Sequence, residues 1–294
     1  MVEILLFEWE LFELIQLWIL IMLYLRITHR QTSTFGALGR AVTIVRLMGL
    51  AYNIPATFLA TPYELLKAKR VFWCVYTMDR ILGTQQGRYC GIRDEDIYRN
   101  FPKLDFELET RDEDWWTLPA FAMVHIAKIL NFIHTLVRDT PHPEKMNQVN
   151  QEVDKLDEWF DNNGFGDTDI YQTVDGILPL VKVQTKLHFF DLIISIHGRV
   201  LFNYVGTQIP NEGLDVLRVL DVCERTVQVL KDTERAGLLF TPWYIVCLLL
   251  FNVGVNSLVL INAGVQQKRC KEMFRSVVKL FQVLVRAGVV NEVS

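Results

Sequence analysis

No two cysteines in this sequence lie closer than sixteen residues, there is no glycine-rich phosphate loop, and there is no excess of positive charge. Each absence removes a class of function. Cys74, Cys90, Cys223, Cys247 and Cys270 lack the Cys-x-x-Cys spacing of zinc and redox sites. Cys74, Cys223 and Cys247 sit in helical apolar patterns, where free cysteine behaves as a small core residue. An odd cysteine count without a secretory signal favours a reducing compartment. Thirty Lys and Arg against 34 Asp and Glu leave a net charge of -4. No surplus remains to neutralise a phosphate backbone, so direct nucleic-acid contact is not expected.

Enzyme motifs are missing as well. Gly-x-Gly-x-x-Gly, the phosphate-binding loop, Gly-x-Ser-x-Gly and His-Glu-x-x-His do not occur. His125 and His134 are nine residues apart, as are His188 and His197. Nine steps of roughly 100° place such partners on opposite sides of a helix, so neither pair chelates a metal locally. The acidic loop "IRDEDI" (92–97) lacks the alternating ligands and central glycine of a calcium loop, and Asp94 reads as a cap or turn residue. "DFELETRDEDWW" (105–116) has the acidic-aromatic composition of some activation segments, although a solvated loop entering a helix near Trp116 explains it equally. Lys67, Lys69 and Arg70 fall within one helical turn and read as a solvated face. No catalytic residue, cofactor or metal ligand is assigned.

What is present is apolar and helical. Half of the residues are hydrophobic (51%) and only 9 are proline, so the chain can bury a large core. Apolar residues recur at helical spacing over 4–28, 34–50, 62–82, 117–138, 144–160, 175–204, 212–235, 242–263 and 267–287. Thr61, Pro62 and Glu64 form a capping box with proline at the first helical position. Met146, Val149, Val153, Leu156 and Phe160 make one stripe. The expected fold is all-α: a multi-helix bundle of stacked, largely antiparallel helices. It forms a single domain over 1–294, with "DNNGFGDTD" (161–169) as the candidate break. The uncharged run 236–267 is long enough to span a bilayer, but Asn252, Asn256 and Asn262 would need partners in lipid. A buried central helix is the preferred reading and a membrane span the alternative.

The stretch "VFWCVYTMDRILGTQQGRYCGIRDEDIYRNFP" (71–102) carries the most specific pattern. Glu64, Lys69, Arg70, Trp73, Tyr76, Asp79, Arg80, Gly87, Arg88, Ile92, Asp94, Asp96, Ile97 and Pro102 follow, in order and spacing, the signature of the fungal-specific transcription factor domain. This is the middle homology region of the zinc binuclear cluster regulators. Upstream, Gly39, Ala41 and Gly49-Leu50 fall at the expected distances within 24–50. Downstream, "LDEWF" (156–160) and "LHFFDLIISIHGRVLF" (187–202) resemble later helices of the family more loosely. Tyr89 stands where the family usually has proline, and Gly83 where it often has serine.

The resemblance implies a nuclear regulatory domain that modulates transcriptional activation through intramolecular contacts, protein partners of the transcription machinery or a small-molecule effector. DNA binding in the family belongs to a six-cysteine zinc cluster, which these 294 residues do not contain. The chain therefore reads as N-terminally truncated relative to the family. The alternative is a stand-alone α-helical interaction protein that pairs with a full-length relative, and a helical membrane protein comes third. Within the signature, Trp73, Tyr76 and Arg80 share a helix face with Asp79 beside it. The expectation is that this charged pair pins the following loop, with Arg80 or Arg88 meeting Asp94 or Asp96.

Overall fold

The computed structural model describes residues 12–28, 30–52, 61–98, 114–136, 143–171, 177–202, 216–239 and 243–287. Among these the chain is all-α, as the apolar periodicity predicts. The helices are α1 (Phe12–Ile27), α2 (Gln31–Leu47), α3 (Pro62–Gln86), α4 (Asp114–Leu136), α5 (Pro143–Asn162), α6 (Leu178–Phe202), α7 (Val216–Arg235), α8 (Tyr244–Asn262) and α9 (Gln267–Arg286). Short 3₁₀ turns occupy Asp94–Asp96 and Asp169–Tyr171. Residues 4–11 of the first expected helix, Pro102, and 105–113 of the acidic-aromatic segment lie outside the described residues.

The chain divides into two compact units. The first comprises residues 1–112 and 123–139, the second 113–122 and 140–294. In the first, α1, α2 and α3 pack mutually. Ile15, Ile19 and Met22 of α1 meet Leu38, Val42 and Val45 of α2 and Phe72, Val75 and Tyr76 of α3, with Ala127 of α4 in the same core. In the second, α8 packs against α6, α7 and α9, and α6 and α9 also contact α7. Val149, Val153, Leu156 and Phe160 of the α5 stripe are buried and Met146 is half-buried. The segment 161–169 lies inside this second unit. Gly164 turns the chain out of α5 at φ +72° and Phe165 is fully buried.

Helix α8 is long and apolar enough to cross a membrane by length and composition, and half of it is buried within the protein. Asn256 is one of its buried residues, set close against Gly198 of α6, where a Cβ would lie 3.0 Å from the Asn256 amide nitrogen.

The ends of α2 and α3 are fixed by the same device. Leu50 N–H donates to the Val45 carbonyl (3.0 Å) and Gly49 N–H to that of Arg46 (3.0 Å). After α3, Arg88 N–H donates to Gly83 (2.8 Å) and Gly87 N–H to Thr84 (3.3 Å). This paired pattern needs a left-handed residue just past the helix, and Gly49 (φ +64°) and Gly87 (φ +62°) supply it. At its start, α3 has the expected capping box: Glu64 N–H donates to Thr61 Oγ1 (3.3 Å) and Thr61 N–H to the Glu64 carboxylate (3.0 Å).

Gly39 is different. It is exposed in the interior of α2 at ordinary helical φ, and a Cβ there would meet nothing within 4 Å. Gly87→Ala should therefore lower unfolding free energy by about 1–2 kcal/mol. Gly39→Ala should raise it by about 1 kcal/mol, since glycine is the poorer helix former. Urea denaturation of the two variants checks this pair of opposite signs.

Candidate functional site: two charge clusters

The C-terminal half of α3 is buried on all sides, residues 79–84 without a break, and this carries Asp79 and Arg80 into the first unit, where each is only 2% exposed. A carboxylate and a guanidinium in that setting must be met by hydrogen-bonding groups. The loop after α3 supplies them. The Asp79 carboxylate accepts the backbone N–H of Gly91 and of Ile92, each at 2.9 Å. Arg80 Nη2 donates to Asp94 Oδ1 (2.6 Å), the Tyr76 hydroxyl donates to the same oxygen (3.1 Å), and Asn131 of α4 donates to Oδ2 (2.5 Å). The Arg80 guanidinium lies 4.8 Å from the centre of the Tyr76 ring, a cation–π contact, and 3.9 Å from the Asp79 carboxylate. Arg46 of α2 donates to the Gly91 carbonyl, and the Cys90 thiol lies 3.6 Å from that of Asp79.

Of the signature residues, Tyr76, Asp79, Arg80 and Asp94 converge here, with Gly87 terminating the helix that presents three of them. Trp73 is half-buried and meets the Tyr76 ring edge-on at 5.5 Å. Arg88 does not meet an aspartate of the loop; its guanidinium sits 5.0 Å over the Phe35 ring. Asp96, Lys69 and Arg70 are exposed, whereas Lys67 pairs with Glu13 of α1. Ala41 is buried in the same core, and Glu64 serves the capping box. Asp94 heads a 3₁₀ turn, as a turn residue would, but its carboxylate is also the acceptor for three side chains.

Three participants were not singled out from the sequence. Asn131 is a lone amide in the apolar run "KILNFI", Arg46 is one basic residue at the end of α2, and Gly91 is a small residue in a loop. Gly91 has a packing reason. A Cβ would fall 3.0 Å from Val42 and 3.4 Å from the Asp79 carboxylate it binds.

Chemically this arrangement is closed. Both Asp79 oxygens are held by amides, and both Asp94 oxygens by side-chain donors. Burial pushes the Asp79 carboxyl above the ordinary value, against the opposing pull of the two amides and of Arg80 and Arg46. It pushes the Tyr76 phenol up as well. Hydrogen bonds occupy both carboxylates, and the cluster works as a clasp on the loop.

A second cluster, absent from the sequence reading, lies in the second unit. Arg225 of α7 donates to Asp157 of α5 (Nη1 2.8 Å, Nη2 3.1 Å) and to Asp167 of the 161–169 segment (Nε 2.8 Å, Nη2 3.3 Å). Lys186 of α6, fully buried, places Nζ 3.0 Å from Asp167 and 3.5 Å from Asp157. It also lies 5.0–5.5 Å from the ring centres of Phe160, Phe189 and Phe190. Burial would raise both carboxyls, but the hydrogen bonds and charge of Arg225, with Lys186, outweigh it and hold both below the ordinary value. In the sequence Asp157 lies within "LDEWF" and Asp167 within "DNNGFGDTD", and nothing there joins them to each other or to Arg225 and Lys186. Among the described residues no group of three or more His, Cys, Asp or Glu side chains could hold a metal ion.

Comparison with known proteins identifies a family. The model of the fungal-specific transcription factor domain matches residues 6–162, just over half of the chain and all of α1 to α5. The chain belongs to that family. The matched span takes in the stretch from Gly39 to Pro102. Over 289 residues, 95% of the chain, it is 28% identical to a Saccharomyces cerevisiae protein described as a probable transcriptional regulatory protein, STB4. Over 189 residues, 63% of the chain, it is 27% identical to an uncharacterized transcriptional regulatory protein of Schizosaccharomyces pombe, C3C7.04. The chain spans 30% and 24% of the lengths of these two relatives. No solved structure matches.

Two tests follow from the geometry. Asp79→Ala and Asp94→Ala each leave Arg80 or buried amides uncompensated and should cost roughly 3–5 kcal/mol, whereas exposed Asp96→Ala should change stability by less than about 0.5 kcal/mol. Calorimetric melting of the three variants separates these outcomes. Asp157 and Asp167 also set an acid response. Their folded carboxyls titrate below the unfolded ones, so their contribution is present above the ordinary carboxylate value and is lost as pH falls through the lowered folded values. Asp157→Asn combined with Asp167→Asn should lower stability at neutral pH and flatten the acid slope. Denaturation at stepped pH measures it. Asp79, raised by burial, contributes with the opposite sign and leaves the variant comparison unaffected.

Proposed function

We propose that this chain is the regulatory part of a fungal zinc-cluster transcription regulator. In this reading it acts in the nucleus on transcriptional activation, through contacts within the full protein, with protein partners or with a small effector. The observation that carries the reading is the family match over 6–162, together with similarity along 95% of the chain to a protein described as a probable transcriptional regulator. The physical character of the residues agrees with it. The net charge is -4, and three of the signature charges, Asp79, Arg80 and Asp94, are consumed in holding a loop. DNA contact would fall to a zinc cluster that these residues do not contain, and transmission of a signal to the helical units.

The clasp gives the first unit a defined loop surface at 90–98, set by α2, α3 and α4 together. Inserting the chain between a heterologous DNA-binding domain and an activation domain tests the idea in a yeast reporter strain. Reporter output should fall several-fold relative to the same fusion without the insert, at equal protein level. Arg80→Ala should relieve most of that fall. Unchanged output on insertion would overturn the reading.

A further inference from the structure

Helix α9 concentrates positive charge in a chain that is acidic as a whole. It holds six Lys and Arg against one Glu, while the full sequence has a net charge of -4. Its inner face, Cys270, Met273, Val277, Leu280 and Leu284, is buried. Arg269 is answered by Glu224 of α7. The other five cations, Lys268, Lys271, Arg275, Lys279 and Arg286, are all exposed, and among the described residues none of them makes an ion pair. Their steps of three, four, four and seven put them in one stripe along about 27 Å of helix. Lys271, Arg275 and Lys279 follow each other at i, i+4, where like charges work against the helix and an approaching anion would relieve them.

An apolar seam runs beside the stripe. Phe274 and Phe281 of α9 are half-buried, and Val278 between them is 42% exposed. On the far side lies α8, which packs against α9. A Cβ at its Gly254 would sit 3.9 Å from the Phe274 ring and 3.6 Å from Val277. Phe251 and Leu258, three before and four after Gly254, share that side of α8 and are 62% and 50% exposed. The seam is thus recessed at the phenylalanines of α9, rimmed by Phe251 and Leu258 on one side and by the cations on the other.

We propose that this seam docks an acidic amphipathic helix of a partner protein. The partner's apolar side chains lie along Phe274, Val278 and Phe281, and its carboxylates face the stripe. Charge complementarity sets the sign of the partner, and the linear seam sets its shape. A nucleic-acid backbone would answer the cations but would leave Phe251 and Leu258 in water. An anionic bilayer is flat and would reach the rim without filling the recess behind it. The inference rests on α8 and α9 alone and stands whether or not the chain acts in transcription.

Fluorescence anisotropy on the full chain is the test. The probe is a fluorescein-labelled peptide of about 18 residues, enough to span the stripe as a helix, with Leu and Phe at steps of three and four and Asp or Glu between them. Saturable binding is expected, and it should be lost when Asn and Gln replace the acidic positions of the probe. Arg275→Glu combined with Lys279→Glu should weaken binding by about tenfold. Lys145→Glu combined with Lys155→Glu, both exposed on α5 and equal in change of net charge, should leave it within about twofold. Phe251→Ser combined with Leu258→Ser should weaken it by about fivefold. All six positions are exposed, so the melting temperature should hold in each variant. No binding, equal loss in the two charge variants, or full binding by the Phe251 and Leu258 variant would overturn the proposal. Tighter binding to a DNA duplex of the same length or to phosphatidylserine vesicles would overturn it too, assigning the face to nucleic acid or to lipid.

Discussion

A cation removed from water must be answered on every side, and much of each unit is arranged to do that. In the first unit the cation is Arg80. Its charge faces Asp94, its plane lies over Tyr76, and Asp79 stands beside it. Asp94 is in turn steadied by Asn131, and Asp79 by the amides of the loop. Elements far apart in sequence are drawn in because the desolvated groups leave no cheaper arrangement. The loop after α3 therefore has little freedom of its own. Its path is the one that delivers two amides and one carboxylate to the end of a helix.

The second unit answers the same demand with different parts. Lys186 has no exposed surface, and two aspartates shared with Arg225 balance it among three phenylalanine rings. Two cations and two carboxylates form a neutral group, and four segments meet there. In the first unit a charged helix end captures a loop. In the second, a helix pair and a turn are tied to α5 through opposite charges. Replacing groups of this kind by apolar residues of equal volume is often neutral or stabilising, whereas removing one partner leaves the other uncompensated. Misalignment by one residue would strand a charge.

Local signals made the elements readable. α3 was legible at its start, from Thr61-Pro62-Tyr63-Glu64, because capping is decided within a few residues, whereas its apolar pattern stops at 82 and the helix runs on to Gln86 before Gly87. The remaining helix spans followed from the apolar period, with ends differing by a few residues where no cap marks them. The clasp was half legible: the Asp79-Arg80 pair and the acidic loop could be connected through the family pattern, and Arg80 meets Asp94. Asn131 could not be foreseen, since its partner is 37 residues away. The second cluster was hidden for the same reason. Arg225 lies 58 and 68 residues from its aspartates, and Lys186 sits in an apolar helix with nothing beside it in sequence to betray the partners. Arg88 shows the limit from the other side. It fits the pattern, but the exposed loop end leaves it nearer the Phe35 ring than any carboxylate.

The family match closes at residue 162, the last residue of α5, and this boundary cuts through a physical unit. A fragment ending there would retain Asp157 and the apolar stripe of α5 while losing Asp167, Lys186 and Arg225. It would also lose Phe165 and Phe189, whose rings lie 5.4 Å and 4.8 Å from that of Phe160. The fragment would carry a bare aromatic face and an orphaned carboxylate at its C-terminal end. The smallest piece that could be excised without such damage runs past Arg225, so what a sequence family recognises as its homology region and what folds as a self-sufficient body are different lengths of the same chain.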